Sequence, residues 1–170
     1  HSTFNEVRGS TALQLAGGSF NIHNNLFHGQ NYIPAMINRA NGNFFYNTLI
    51  GGTLNRNFGI IINADSISHI YNNIIDGFRR GIYLLATDST EFNALRIHHN
   101  NIYKVMQSYG YEYNESLNQP IFYGNLIPNS GTGEISVYSN FVDTLNKDYR
   151  LQSTSSCIYA GSNNYPNSIS

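Results

Sequence analysis

Charge is scarce in this chain. Only 11% of its 170 residues are Asp, Glu, Lys or Arg, against roughly 25% in an ordinary soluble domain. Nine basic residues against ten acidic ones leave a formal charge of −1. The broad basic footprint of phosphate-driven binding is therefore missing, and nucleic acid is excluded as the expected partner. Hydrophobic runs are short, Gly59-Ile60-Ile61-Ile62 being typical, and none approaches the roughly 20 apolar residues of a membrane-spanning helix. Tryptophan is absent and cysteine occurs once, as Cys157. A single thiol excludes an internal disulfide framework and a cysteine-rich zinc site. Within Ser-Ser-Cys-Ile-Tyr it has no His or basic neighbour to lower its pKa, so it reads as a small core residue. No basic-then-apolar leader opens the chain; a secretion signal is expected to have been removed or to lie outside this sequence.

Uncharged polar residues fill the gap. The chain carries 26 Asn, 13 Tyr and 15 Gly beside 10 Phe. Abundant Asn and Tyr with few Lys suggest an extracellular protein. An apolar fraction of 41% suffices for the core of one domain spanning 1–170.

The residues also repeat. The pattern of Phe20-Asn21-Ile22-His23-Asn24-Asn25-Leu26-Phe27 returns over 44–50, 69–75, 96–103 and 136–142. The position of Asn25 recurs as Thr48, Asn73, Asn100 and Asn140, and Ser2-Thr3-Phe4 is an earlier half-copy, giving spacings of 23, 23, 25, 27 and 40. A second alternating run precedes each copy, at 12–15, 35–37, 60–62, 82–84 and 121–123. Very short β-rich runs in a period of about 23 residues describe a β-solenoid coil, whereas helical repeats need longer amphipathic stretches. Asn suits the corners, because it tolerates the left-handed conformation and its amide can bond the equivalent amide one rung away. Strands stacked about 4.8 Å apart over roughly six rungs give a body about 30 Å long.

The segment Ile22-His23-Asn24-Asn25-Leu26-Phe27 resembles the repeat of the right-handed parallel β-helix proteins, the pectate-lyase-like superfold. The stretch Phe141-Val142-Asp143-Thr144-Leu145-Asn146-Lys147-Asp148-Tyr149-Arg150-Leu151, followed by Ser156-Cys157-Ile158-Tyr159-Ala160-Gly161, is similar to the closing segment of secreted bacterial members. The resemblance implies an all-β, right-handed parallel β-helix of about six rungs with Asn-rich corners, closed by residues 143–170. It also implies a secreted protein, in a superfold that hosts lyases, hydrolases, epimerases, phage spikes and adhesins. Ser156 and Tyr159 stand where the closing segment of relatives has Pro and Asp, so the role of that acid is not carried over. In the charged-sugar lyases a Lys follows one strand and Arg-His the next; the matching positions here hold Arg39 and Asn63-Ala64.

Alternation along each strand predicts what faces outward. Phe20, Ile22, Ile70, Leu95, Ile97, Ile135 and Val137 are expected inward, and Phe44 outward with Tyr46. One outer column then reads His23, Tyr46, Tyr71, His98 and Tyr138, flanked by His69 and Arg96. Such rings either stack on one another, contributing roughly 0.2–1 kcal/mol per pair, or form a platform for sugar rings. The other outer column, Gln14, Met36, Ile61, Tyr83 and Phe122, is mostly apolar and is expected to be covered by a loop, a further domain or another subunit. The span 104–119 reads as an inserted loop whose Tyr109, Tyr111, Glu112 and Tyr113 suit sugar binding. Arg79 and Arg80 read as solvated surface residues able to meet an acidic polymer.

Catalysis finds less support. Asp65, Asp76, Asp88 and Glu91 fall in different turns, so no acid pair recurs as glycosidase chemistry requires. There is no phosphate-binding glycine loop and no serine nucleophile elbow. His98 and His99 are adjacent and expected to face opposite ways, which argues against a joint metal site. No metal is assigned, although calcium, common in lyases, is the cofactor left open. The chain therefore reads as an extracellular polysaccharide-binding or polysaccharide-processing β-helix, a lyase or glycoside hydrolase if an enzyme. The candidate binding residues are Tyr46, His69, Tyr71, Arg96, His98, Tyr109, Tyr111, Glu112 and Tyr113. The alternative is a non-catalytic adhesin, spike or filament module. Because residue 1 falls in mid-rung, the chain reads as part of a longer one or as docking end to end on a neighbour, and its apolar outer column leaves a homo-oligomer open.

Overall fold

Sixteen short β-strands and no helix make up the described residues, 2–5, 11–29, 33–52, 58–63, 68–86, 95–113 and 133–163, of the computed structural model. After β1 (Thr3–Asn5) the chain runs four times through a triplet of strands. The triplets are β2 (Thr11–Ala16), β3 (Ser19–His23) and β4 (Leu26–His28); then β5 (Ile33–Asn38), β6 (Asn41–Phe45) and β7 (Thr48–Ile50). They continue with β8 (Phe58–Asn63), β9 (Ser68–Tyr71) and β10 (Ile74–Asp76), and with β11 (Arg80–Ala86), β12 (Arg96–His98) and β13 (Asn101–Tyr103). Next come β14 (Gln107–Tyr113) and an antiparallel pair, β15 (Phe141–Asp143) and β16 (Asp148–Leu151).

Each place in the triplet builds its own parallel sheet. First strands and β14 form a five-stranded sheet, second strands a four-stranded one, and third strands with β1 another five-stranded one. Every strand of these three sheets pairs with the strand one triplet away, an arrangement compatible with a β-solenoid. Four complete triplets are described, against an expectation of about six rungs.

Register puts like residues above one another. Leu13, Ala35, Ile60 and Ile82 are aligned with Tyr109; Phe27, Leu49, Ile75 and Ile102 form a second column; Ile22, Phe44, Ile70 and Ile97 a third. These columns converge into one core, in which Phe27, Leu49, Ile60, Ile70, Ile75 and Ile82 are fully buried. Burial of this kind contributes roughly 1.5–3 kcal/mol for each large apolar side chain.

The corner between second and third strands holds the asparagines. Asn24, Tyr46, Asn72 and His99 turn the chain at φ of 56°, 51°, 55° and 54°. The residues that follow them, Asn25, Asn47, Asn73 and Asn100, form a ladder. The Asn47 backbone and side-chain amides both donate to Asn73 Oδ1, at 3.0 and 3.2 Å. Those of Asn73 donate to Asn100 Oδ1, both at 3.0 Å, and the Asn100 side chain donates to Glu134 Oε1 at 3.0 Å. Each amide nitrogen also bonds strand carbonyls, as Asn73 Nδ2 does to Phe44 and Tyr71 at 2.9 Å.

The ladder departs from the expected column at two points. Asn47 occupies the place assigned to Thr48, and Glu134 that of Asn140. Thr48 instead starts β7, opposite Leu26 and Ile74. A one-residue slip exchanges the two faces of a strand, so Phe44 lies inward and buried while Phe45 takes the outer place expected for Tyr46.

Two other expectations change. Residues 107–113, expected within an inserted loop, form β14, paired with β11 in parallel register; residues 114–119 and the run 121–123 with Phe122 lie outside the described residues. The closing segment works as an arm laid over the third-strand sheet. Asn101 Nδ2 donates to Val137 O, Ser139 Oγ and Cys157 Sγ at 2.9, 3.0 and 3.1 Å. Asn72 holds Ser162 by two 2.8 Å hydrogen bonds, and Tyr149 packs its ring 5.1 Å from that of His28.

Asn73→Ala, which leaves backbone partners of the ladder buried and unbonded, is expected to destabilise the fold by about 3–5 kcal/mol in urea unfolding; a loss below about 1 kcal/mol would show that the ladder is incidental. Glu134 is the complementary case. Burial raises its pKa above the ordinary 4.5, so stability declines as pH rises from that value through the folded one. Glu134→Gln keeps the acceptor without the charge and is expected to gain about 1 kcal/mol at neutral pH, a gain that disappears under acid conditions.

Candidate functional site

The second-strand sheet presents the column of rings expected from the sequence, with one substitution. His23, Phe45, Tyr71 and His98 stack with centroids 4.9, 5.0 and 5.2 Å apart and interplanar angles of 25°, 2° and 16°. Tyr71 is only 1% exposed. Its two ring faces are taken by Phe45 and His98, which leaves no free face for a sugar. His69 and Arg96 face each other in register beside this column, Arg96 exposed and donating to Leu95 O at 3.0 Å.

Burial and neighbouring positive charge lower the pKa of both imidazoles. For His69 the cause is burial and then Arg96; for His98 it is burial, then His99 and His69. His98 and His99 do not diverge as strand alternation predicts. The left-handed turn at His99 brings their Nδ1 atoms to 3.0 Å, so one donates and the other accepts.

The remaining sequence candidates disperse. Tyr46 stands at the corner, with Phe45 in the column beside it. Tyr109 points into the core and is 7% exposed. Tyr111, Glu112 and Tyr113 lie farther along β14, opposite Leu84, Leu85 and Ala86. Tyr138 neighbours Tyr103, with ring centroids 6.0 Å apart, and does not join the His23 column. Arg80 is buried rather than solvated, its guanidinium 4.7 Å from the Tyr83 ring centroid and 5.3 Å from that of Phe58. In the other outer column Gln14, Met36, Ile61 and Tyr83 align as expected, but Gly110 holds the next position. Ile61 and Tyr83 are themselves buried.

A groove that the sequence reading missed runs between the left-handed corner and the arm. One part, of about 370 Å³, lies between Tyr46, Asn72 and His99 on the corner and Cys157, Tyr159 and Gly161 on the arm. Tyr46 also borders the next part, about 340 Å³, with Asn24, Lys147, Tyr149 and Arg150. Tyr46 and Tyr159 are 36% and 100% exposed, and both adopt left-handed backbone, at φ of 51° and 65°. That conformation disfavours bulky residues, and Asn fills two of the other three corners. The acid beside the groove is Asp148, whose carboxyl is bound by Arg150 at 2.6 Å and held at about 2.

The groove could have been found from Tyr46 itself, a tyrosine immediately before a ladder asparagine. Aligning Thr48 with Asn25 concealed it. Among the described residues no group of three His, Cys, Asp or Glu side chains is placed to hold a metal ion, and no helix is long and apolar enough to cross a membrane. Compared with protein-family models, curated proteins and solved structures, the chain matches none.

The lowered histidine pKa values give a signed prediction. The folded state favours neutral imidazole, so this contribution is complete above the ordinary value of 6.5 and is lost as pH falls through 6.5 toward the lower folded value. His98→Phe retains a ring over Tyr71 and removes one titrating group. The variant is expected to lose less Tm than wild type between about pH 7.5 and pH 5.5; equal losses would place the acid sensitivity elsewhere.

Proposed function

We propose that this chain is an extracellular polysaccharide-binding β-helix of the right-handed, pectate-lyase-like type, and that it holds a glycan strand along the groove between the Asn corner and the arm. The observation that carries this reading is the pair Tyr46 and Tyr159. Both line one groove, both expose their rings, and both do so from a backbone conformation that costs a bulky residue on the order of 1 kcal/mol. Retaining tyrosine there is explained by the ring. Its apolar face suits the C–H face of a sugar while its hydroxyl stays in water. The parallel stacking of strands and the asparagine ladder support the β-helix assignment.

Binding is favoured over hydrolysis. A glycosidase needs one carboxyl that holds a proton and a second that stays ionised or attacks. Asp148, the carboxylate bordering the groove, is fixed in its charged form by Arg150. The same pairing engages Arg150, the guanidinium nearest the role of a lyase base.

Tyr46→Asn tests the proposal by placing at this corner the residue found at Asn24 and Asn72. The variant is expected to be as stable as wild type or up to about 1 kcal/mol more so. It should bind glycans at least about tenfold more weakly on a polysaccharide array and in calorimetry. Tyr159→Ala should weaken binding likewise. If wild type binds no neutral or acidic polysaccharide, or if Tyr46→Asn binds as tightly as wild type, the reading fails. Release of reducing or unsaturated ends would show catalysis.

A further inference from the structure

The arm has a second flank, and a separate cavity of about 480 Å³ opens there, bordered by Tyr149, which also borders the corner groove. Its volume falls within the roughly 300–1,000 Å³ of small-molecule sites. Three glycines border it. Gly51 and Gly52 follow β7, and Gly77 follows β10 at φ 80°. A side chain at Gly51 would collide with the Gly77 carbonyl, and Gly51 N donates to Asp76 O at 2.8 Å. Backbone therefore meets backbone at this edge of the cavity.

Around that space stand three tyrosines, Tyr103 at the end of β13 and Tyr138 and Tyr149 on the segment that returns over the sheet. Tyr103 and Tyr138 meet edge to face at 6.0 Å and 60°. Tyr149 is fixed against Phe141 at 5.4 Å and 87°. Tyr138 is 55% exposed and leaves the cavity accessible from solvent.

One carboxylate and one ammonium complete the lining. Asp76 is half-buried, and its carboxylate accepts no hydrogen bond from another described residue. Lys104, also on the lining, is the nearby positive charge that opposes the effect of burial on Asp76. A carboxylate in partly dry surroundings needs donors. An anionic ligand would face Asp76, and a cationic one would face Lys104. A neutral ligand rich in hydroxyl groups satisfies both: Asp76 accepts from a pair of hydroxyls, Lys104 donates to an oxygen, and the apolar face of a ring lies on tyrosine.

We propose that this cavity is a second glycan site, separate from the corner groove, which receives one end of a neutral oligosaccharide with Asp76 as the hydroxyl acceptor and Tyr103 and Tyr138 as the ring platform. It goes beyond the groove reading and does not depend on it. A chain end suits a bounded cavity, whereas a groove open along the stack suits the middle of a polymer.

The test titrates the whole chain with three neutral trisaccharides: maltotriose, cellotriose and mannotriose. A galacturonic acid trimer and a glucosamine trimer serve as charged comparisons. The absence of tryptophan leaves tyrosine as the intrinsic fluorophore, and amide chemical shifts locate the contact. The expected result is that at least one neutral trimer binds more tightly than either charged one, with shifts at Gly77, Tyr103 and Tyr138. Asp76→Asn should weaken it at least about tenfold and Tyr138→Ala at least about fivefold. Because Tyr138 is exposed, its variant should keep the wild-type Tm, so its loss of binding is not a loss of fold. Binding by none of the neutral trimers, tighter binding of a charged trimer, or unchanged affinity in both variants overturns the proposal. Shifts confined to Tyr46 and Tyr159 overturn it too and leave the corner groove standing.

Discussion

The hydrogen-bonded row of side-chain amides at one corner is the constraint on which the rest of this structure depends. A β-solenoid has to turn sharply once per strand, and each turn takes backbone groups out of the sheet ladders and into a low-dielectric interior. Asn47, Asn73 and Asn100 are almost completely buried, and each spends its amide on strand carbonyls that the turn would otherwise strand. Every link points the same way, from an amide hydrogen on one rung to a carbonyl oxygen on the next, so neighbouring bonds polarise one another. That alignment fixes the register, and the register then decides which side chains meet the core.

The low charge of the chain follows from the same geometry. Parallel stacking places each residue about 4.8 Å from its counterpart on the next rung, where a repeated charge would repel itself and an amide or ring finds a partner. The ring column His23, Phe45, Tyr71 and His98 is the aromatic version of the amide ladder. Both are self-satisfying, and for that reason neither presents an unused recognition surface. The proposed recognition sites lie where the repeat is broken: the tyrosine at a corner that otherwise favours asparagine, and the two flanks of the arm.

Much of the fold was legible because the period was. Alternation identified the inward residues Ile70, Leu95 and Ile97 and the outer column of Gln14, Met36, Ile61 and Tyr83, since stacked strands with one buried side leave a strong pattern. What failed was register, at two positions: Asn140 was aligned where Glu134 stands, and Thr48 looked as good a partner for Asn25 as Asn47 did. That slip cost Phe44, Phe45 and Tyr46 their faces. Strand β14 was missed for another reason. Gln107-Ser108-Tyr109-Gly110-Tyr111-Glu112-Tyr113 alternates as a strand should, but Gly110 and the polar residues resemble a loop, and only pairing with β11 decides between the two. The candidate sites were least legible, because both arise where the arm returns over the third-strand sheet, and no local pattern records which surface a distant segment will cover.

Glu134 ends the amide row with a different kind of group. Its Oε1 accepts from Asn100, but a carboxyl group has no amide hydrogen to pass onward, and the Tyr109 hydroxyl approaches it without closing a well-formed bond. An asparagine at this place would offer the next coil the same invitation that Asn47, Asn73 and Asn100 extend to their successors. A glutamate withdraws it. Among the described residues, the row of amide-to-carbonyl links ends at this side chain, which contributes an acceptor and no amide hydrogen.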